Sequence, residues 1–217
     1  MKTDAQVQHD VLAELNWEPS INAAGIGVEV SDGVVTLAGH VASFAEKWDA
    51  ERVAQRVAGV QALAVEIEVT LPGSSVRSDS DIARSAVHAL EWSTYVPRDA
   101  VKVLVEGGHA TLSGEVDWEY QRQAAASGVR SLMGVTGISD QIALKPKASV
   151  PAIKADIEAA LKRGAKLDAA RVAVHVEGGV VTLSGPVHSW PERYLARNAA
   201  WAGHGVCRVI DNMTVSG

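Results

Sequence analysis

The stretch Asp32-Gly33-Val34-Val35-Thr36-Leu37-Ala38-Gly39 occurs three times with small changes. It returns as Gly107-Gly108-His109-Ala110-Thr111-Leu112-Ser113-Gly114, and again as Gly178-Gly179-Val180-Val181-Thr182-Leu183-Ser184-Gly185. The starts are 75 and then 71 residues apart, and the same offsets align Gly59-Val60 with Gly134-Val135 and Gly205-Val206. Leu15, Leu90 and Leu161 also fall in register. One register without gaps through each copy is the signature of a tandem repeat.

Each unit reads as helix, strand, strand, helix, strand. The paired residues Asp32-Gly33, Gly107-Gly108 and Gly178-Gly179 supply the positive φ angles of a tight hairpin between alternating strands such as Ile26/Val28/Val30 and Val35/Leu37. Gly33, Gly39, Gly108, Gly114, Gly179 and Gly185 are therefore structural hairpin glycines. Apolar spacing near 3.6 marks a first helix through Val7, Val11, Leu12 and Leu15, with Ile82, Ala86, Val87 and Leu90 next and Ile153, Ile157 and Leu161 last. It should open near Asp4, Ser80-Asp81 and Ser149, whose side chains can accept from free backbone N–H groups. A second helix is expected over 44–58, 119–133 and 190–204. The fold class is α+β: three tandem αββαβ units, each a small mixed sheet with two helices on one face. The units span 1–72, 76–146 and 149–217, and the short linkers imply that they lean on one another.

Composition excludes several functions. The 217 residues carry 20 basic and 26 acidic side chains, and a net charge of −6 argues against a general nucleic-acid binder. The single Cys207 allows no intramolecular disulfide and no cysteine zinc site. The opening MKTDAQVQHD lacks the apolar centre of a secretory signal, so a cytoplasmic location is expected. No run approaches the roughly 18 apolar residues of a membrane span. The seven histidines show no H-x-x-x-H spacing, the glycine hairpins are not phosphate loops, and no nucleophile has a suggested base. The expectation is a non-enzyme with no metal and no cofactor.

The aligned copies act as their own comparison. On the second helix Ala50, Val53, Ala54 and Val57 face inward, and positions 48 and 55 point about 150° away from Ala50. There copy two has Gln123 and Arg130, copy one has Trp48 and Gln55, and copy three has Tyr194 and Trp201. An outward aromatic pair needs a partner: a neighbouring repeat, a second subunit, a ligand or lipid. Gly203, which replaces Leu132 and Val57, allows close approach there. Trp118 and Trp190, at the junction of second strand and second helix, are expected to form a surface cluster that packs between repeats or else binds a partner. Trp17 and Trp92 align with Arg163, so their site is at least partly exposed, and the indoles are expected to pack over the end of the first helix. Charge falls unevenly, at −7 over residues 1–72, −1 over 73–147 and +2 over 148–217. That gradient favours head-to-tail contact between subunits, which closes into a ring if geometry permits.

An acidic helix start, a V-x-V strand, [DG]-G-V-V-T-L-[SA]-G (with His109-Ala110 in copy two), a charged helix ending in Gly-Val and a closing strand resemble the BON domain, three times over. The resemblance implies binding at the bacterial envelope or under osmotic stress: phospholipid contact, envelope maintenance or chaperone-like action. The expected function is a non-enzymatic binding or interaction protein acting as a homo-oligomer at or near a membrane, by phospholipid or protein contact. Trp201, Gly203, Tyr194, Trp190, Trp118 and Trp48 are its candidate binding or interface residues. Two other functions stay open: an oligomeric pore-like factor passing small solutes across the envelope, and a cytoplasmic stress chaperone.

Overall fold

The computed structural model describes residues 2–145, 153–163 and 171–215. The expected linker at 145–149, the Ser149 cap and the outer limits of the third unit lie largely outside the described residues.

Copy one consists of α1 (Asp4–Trp17), β1 (Ile26–Ser31), β2 (Val34–Val41), α2 (Phe44–Arg56) and β3 (Ala62–Val69). Copy two repeats it as α3 (Asp79–Trp92), β4 (Val101–Glu106), β5 (His109–Val116), α4 (Glu119–Arg130) and β6 (Gly137–Leu144). Copy three follows with α5 (Ile153–Arg163), β7 (Ala173–Glu177), β8 (Val180–Val187), α6 (Trp190–Trp201) and β9 (Arg208–Val215). Each sheet has three strands, an antiparallel hairpin followed by a parallel strand that the second helix connects. The parallel register is the same in all copies, with Val34 opposite Ala62, His109 opposite Gly137 and Val180 opposite Arg208. One sheet face carries the core and the other faces water, as small antiparallel-type sheets allow. In copy one the covered face is Val35, Leu37 and Val41 against Val7, Val11 and Leu15 of α1 and Ala50, Val53 and Ala54 of α2.

The glycines of the repeated stretch do two jobs. Asp32 and Gly33 have φ of 51° and 76°, the left-handed pair of a two-residue hairpin. Gly39 and Gly114 lie within β2 and β5, where an added Cβ would collide with the carbonyl oxygens of Gly25 and Ala100. The first helices begin slightly earlier than the acidic residues suggest. Thr3 and Ser78 are the N-caps. This frees the Asp4 carboxylate to accept from the amides of Asp32 and Gly33 at 2.8 and 3.0 Å. Asp79 does the same for Gly107 and Gly108 at 2.9 and 2.8 Å. Helix start and hairpin turn are thus locked together by one side chain, with charge-assisted bonds.

Candidate functional site

The second helices organise the contacts between copies. At the head of α2, Phe44 packs on the core of copy two, and the Trp48 ring lies 3.7 Å from the guanidinium of Arg130 at the tail of α4. At the head of α4, Trp118 meets His204 of copy three edge-to-face at 5.0 Å, and Arg122 lies 5.0 Å from the Trp201 ring at the tail of α6. At the head of α6, the Trp190 indole N–H donates to the carbonyl of Val60, beyond the tail of α2, at 3.1 Å, and the ring packs on the core of copy one. Three contacts of one sense that return to their start define an approximate three-fold axis. Equivalent positions of the copies consequently lie at similar heights along that axis, on the same face of the ring.

This arrangement revises several expectations. Trp201 meets a neighbouring repeat, the first of the partners expected for an outward ring, and so does not form an exposed stripe with Tyr194. α6 lies between α2 and α4, so Trp201 packs on the cores of copies two and three, whereas Tyr194 lines a groove facing α2. Trp118 and Trp190 do not cluster, because one faces copy three and the other copy one. Gly203 serves its own repeat: a Cβ there would come within 3.0 Å of Val206 and 3.4 Å of Ile157. Trp48 is held under two guanidinium groups, since Arg52 lies 4.5 Å from its centroid on the side of its own helix. Head-to-tail closure occurs here between the copies of a single chain.

Burial at the Trp48 contact is visible in the titrating groups. Desolvation holds the Arg130 guanidinium below its usual range, opposed by the charges of Asp49 and Glu51 and reinforced by Arg52. Desolvation likewise raises the Glu51 carboxyl, against the pull of Lys47 and Arg130. The Arg130 Nε has no hydrogen-bond partner among the described residues, so its stabilisation comes from the indole face and nearby carboxylates.

The largest departure from expectation concerns Trp17 and Trp92. Both indoles stand free, 81% and 87% exposed. Leu15 and Leu90 are the last core residues of their helices, and two further positions turn the side chain by about 200°, away from the core. The chain then leaves through Glu18-Pro19 or Ser93, and nothing folds back over the ring. Copy three has Arg163 at the aligned position, with Lys162 before it, both exposed at the end of α5. Three residues after Trp92, Tyr95 meets Tyr120 edge-to-face at 6.0 Å, the two rings remaining 63% and 53% exposed. A repeat comparison could have found this rim, because Trp17 and Trp92 occupy one aligned position. Periodicity alone does not say that they remain uncovered.

Among the described residues, no three histidine, cysteine or carboxylate side chains come together as metal ligands. His109 bonds Ser139 at 2.8 Å and His188 pairs with Glu192 at 3.1 Å, each within its own copy. The Cys207 thiol donates to the carbonyl of Gly179 at 3.4 Å. No helix among the described residues is long and apolar enough to cross a membrane.

Fold and contacts define a tandem-repeat α+β protein whose copies meet through aromatic rings and arginines. Residues 3–70, 78–146 and 149–217 each match the BON domain, and the chain belongs to that family. It is similar to osmotically-inducible protein Y of Escherichia coli strain K12, with 32% identity over 146 residues, covering 65% of this chain and 73% of that protein. A solved structure with partial likeness is the C-terminal domain of CdsD, a structural protein of the type III secretion system of Chlamydia trachomatis. Identity is 13%, coverage is 96% of each chain and the TM-score is 0.28, a value too low to inform the arrangement of the copies.

Proposed function

We propose that this chain is a non-enzymatic stress protein of the bacterial envelope type that binds the surface of a lipid bilayer through one face of its ring. The observation that carries this reading is the pair of indoles at aligned positions, Trp17 and Trp92, 81% and 87% exposed. Because the copies are related by rotation, both rings emerge on the same face, and Lys162-Arg163 completes the rim where copy three ends its first helix. Tryptophan favours the headgroup level of a bilayer, since its apolar body and N–H tip match that gradient. Lysine and arginine at the same level meet lipid phosphates. Family membership and the likeness to an osmotically inducible protein support the stress role.

The balance of terms predicts which lipids suffice. Two rim cations add about 1 kcal/mol each near an anionic surface, while the body of the protein carries net −6 and opposes approach. The indoles therefore dominate, and binding should need no anionic lipid and should survive high salt. Flotation with phosphatidylcholine vesicles in 0.5 M salt tests this. Wild type should float and the double variant Trp17→Ala/Trp92→Ala should not, while Trp118→Phe, altered inside the ring, should float as wild type does. Equal flotation of wild type and double variant refutes the reading.

A further inference from the structure

Copies one and three meet along a groove of about 540 Å³ between α2 and α6. Its size lies in the range of small-molecule sites, and four of its eleven lining residues are arginines. Four arginines reach it, Arg52 and Arg56 from α2 and Arg193 and Arg197 from α6. Two are already committed. Arg193 pairs with Asp211 at 2.8 Å, and Arg56 lies 3.3 and 3.4 Å from Glu14 and Glu18. The other two are not. Neither Arg52 nor Arg197 forms an ion pair among the described residues, and each is exposed on its wall. Glu51 also lines the groove, but it is opposed by Lys47 and Arg130.

Aromatic rings orient both uncommitted guanidinium groups. Arg52 lies 4.5 Å from the Trp48 centroid and Arg197 lies 5.7 Å from that of Tyr194. A guanidinium resting on a ring keeps its N–H edges directed outward and loses less freedom when it binds. The groove between α4 and α6 is a control within the same molecule. It is about as large, yet its lining, which includes Trp118, Glu119, Gln123 and His204, holds no arginine.

We propose that the α2–α6 groove is a binding site for a phosphate monoester, clamped between Arg52 and Arg197 from opposite walls with Trp48 and Tyr194 beside it. A dianionic monoester matches the two uncompensated charges. Its three terminal oxygens can take a bidentate fork from each arginine, whereas the two oxygens of a carboxylate suit only one. The ester could belong to a soluble metabolite or to a lipid headgroup. The site is separate from the Trp17/Trp92 rim and does not rest on the membrane reading.

The test is titration of full-length protein with phenyl phosphate and with inorganic phosphate, followed by calorimetry. Wild type should bind phenyl phosphate saturably with a Kd of about 1 mM or tighter. Arg52→Gln/Arg197→Gln should bind at least about tenfold more weakly, as loss of charge-assisted bonds requires. Arg84→Gln, in α3 and away from the groove, should bind as wild type does. Vesicles bearing phosphatidic acid, a lipid monoester, then assign the source. Displacement of phenyl phosphate points to a headgroup, and co-binding without displacement points to a soluble ester. No saturable binding, or binding that the double variant retains, overturns the proposal. Because Trp17→Ala/Trp92→Ala leaves the groove intact, it should keep its phenyl phosphate affinity even if flotation is lost.

Discussion

Trp190 closes the ring, and its replacement tests whether the three copies act as one unit. The indole N–H donates to the Val60 carbonyl at 3.1 Å, and the ring packs half-buried on the core of copy one. Trp190→Phe keeps an aromatic ring, as copy one does with Phe44, and removes the donor. The loss of one hydrogen bond at an interface costs about 1 kcal/mol. Trp190→Ala removes the ring as well. Full-core Trp→Ala changes cost about 3–5 kcal/mol, so a half-buried ring should cost about 2–3 kcal/mol. The effect should extend beyond magnitude. With this contact gone, copy one remains joined through Trp48 and Arg130, and copy three through Trp118, Trp201 and Arg122, leaving an open chain. Urea unfolding followed by circular dichroism should give a single steep transition for wild type, a slightly lower midpoint for Trp190→Phe, and a broadened or two-step transition for Trp190→Ala. A Trp190→Ala protein within about 0.5 kcal/mol of wild type, with an unchanged slope, would refute closure as a source of stability.

Three further outcomes follow from the geometry. Asp79→Ala removes the carboxylate that holds the amides of Gly107 and Gly108, and should cost about 2 kcal/mol in urea unfolding. Gly114→Ala places a methyl group against the Ala100 carbonyl at φ 131° and should lower Tm by several degrees or prevent folding, while Gly73→Ala, with open space around it, should change stability by less than about 0.5 kcal/mol. Glu51 has its carboxyl raised above the ordinary 4.5 by desolvation, so protonation favours the folded state. Its favourable contribution is full below pH 4.5 and is lost as pH rises through the raised value, so Glu51→Gln should raise the urea midpoint at pH 7, with the gain shrinking as pH falls toward 4.

The repeats, the hairpins and both helix faces are legible in the chain because they depend on local terms: glycine φ, period-2 and period-3.6 burial, and fixed offsets. The contacts of the aromatic residues are less so. Helical periodicity shows that Trp201 leaves the main stripe of its own helix, but which surface it meets depends on how α2, α4 and α6 pack, and no single repeat encodes that. Asp4 illustrates a nearer limit. Its place at a helix start is visible, yet its bond to a hairpin 28 residues away depends on Thr3 having taken the capping role. Trp17 and Trp92 fail for another reason: an apolar ring next to a core helix is usually covered, and only the direction in which the chain leaves the helix shows these two bare. The arginines of the α2–α6 groove are ordinary surface charges until ion pairs with Asp211, Glu14 and Glu18 separate the committed from the free.

The proposal at the centre of this account is that the Trp17/Trp92 rim meets the surface of a phosphatidylcholine bilayer. Fluorine NMR of protein labelled with 5-fluorotryptophan reads all six tryptophans at once, with resonances assigned by single Trp→Phe variants. On addition of phosphatidylcholine vesicles carrying a paramagnetic headgroup label, the Trp17 and Trp92 resonances should broaden together, and Trp48, Trp118, Trp190 and Trp201 should retain their widths relative to unlabelled vesicles. Broadening of the inner four, or of none, would contradict the account.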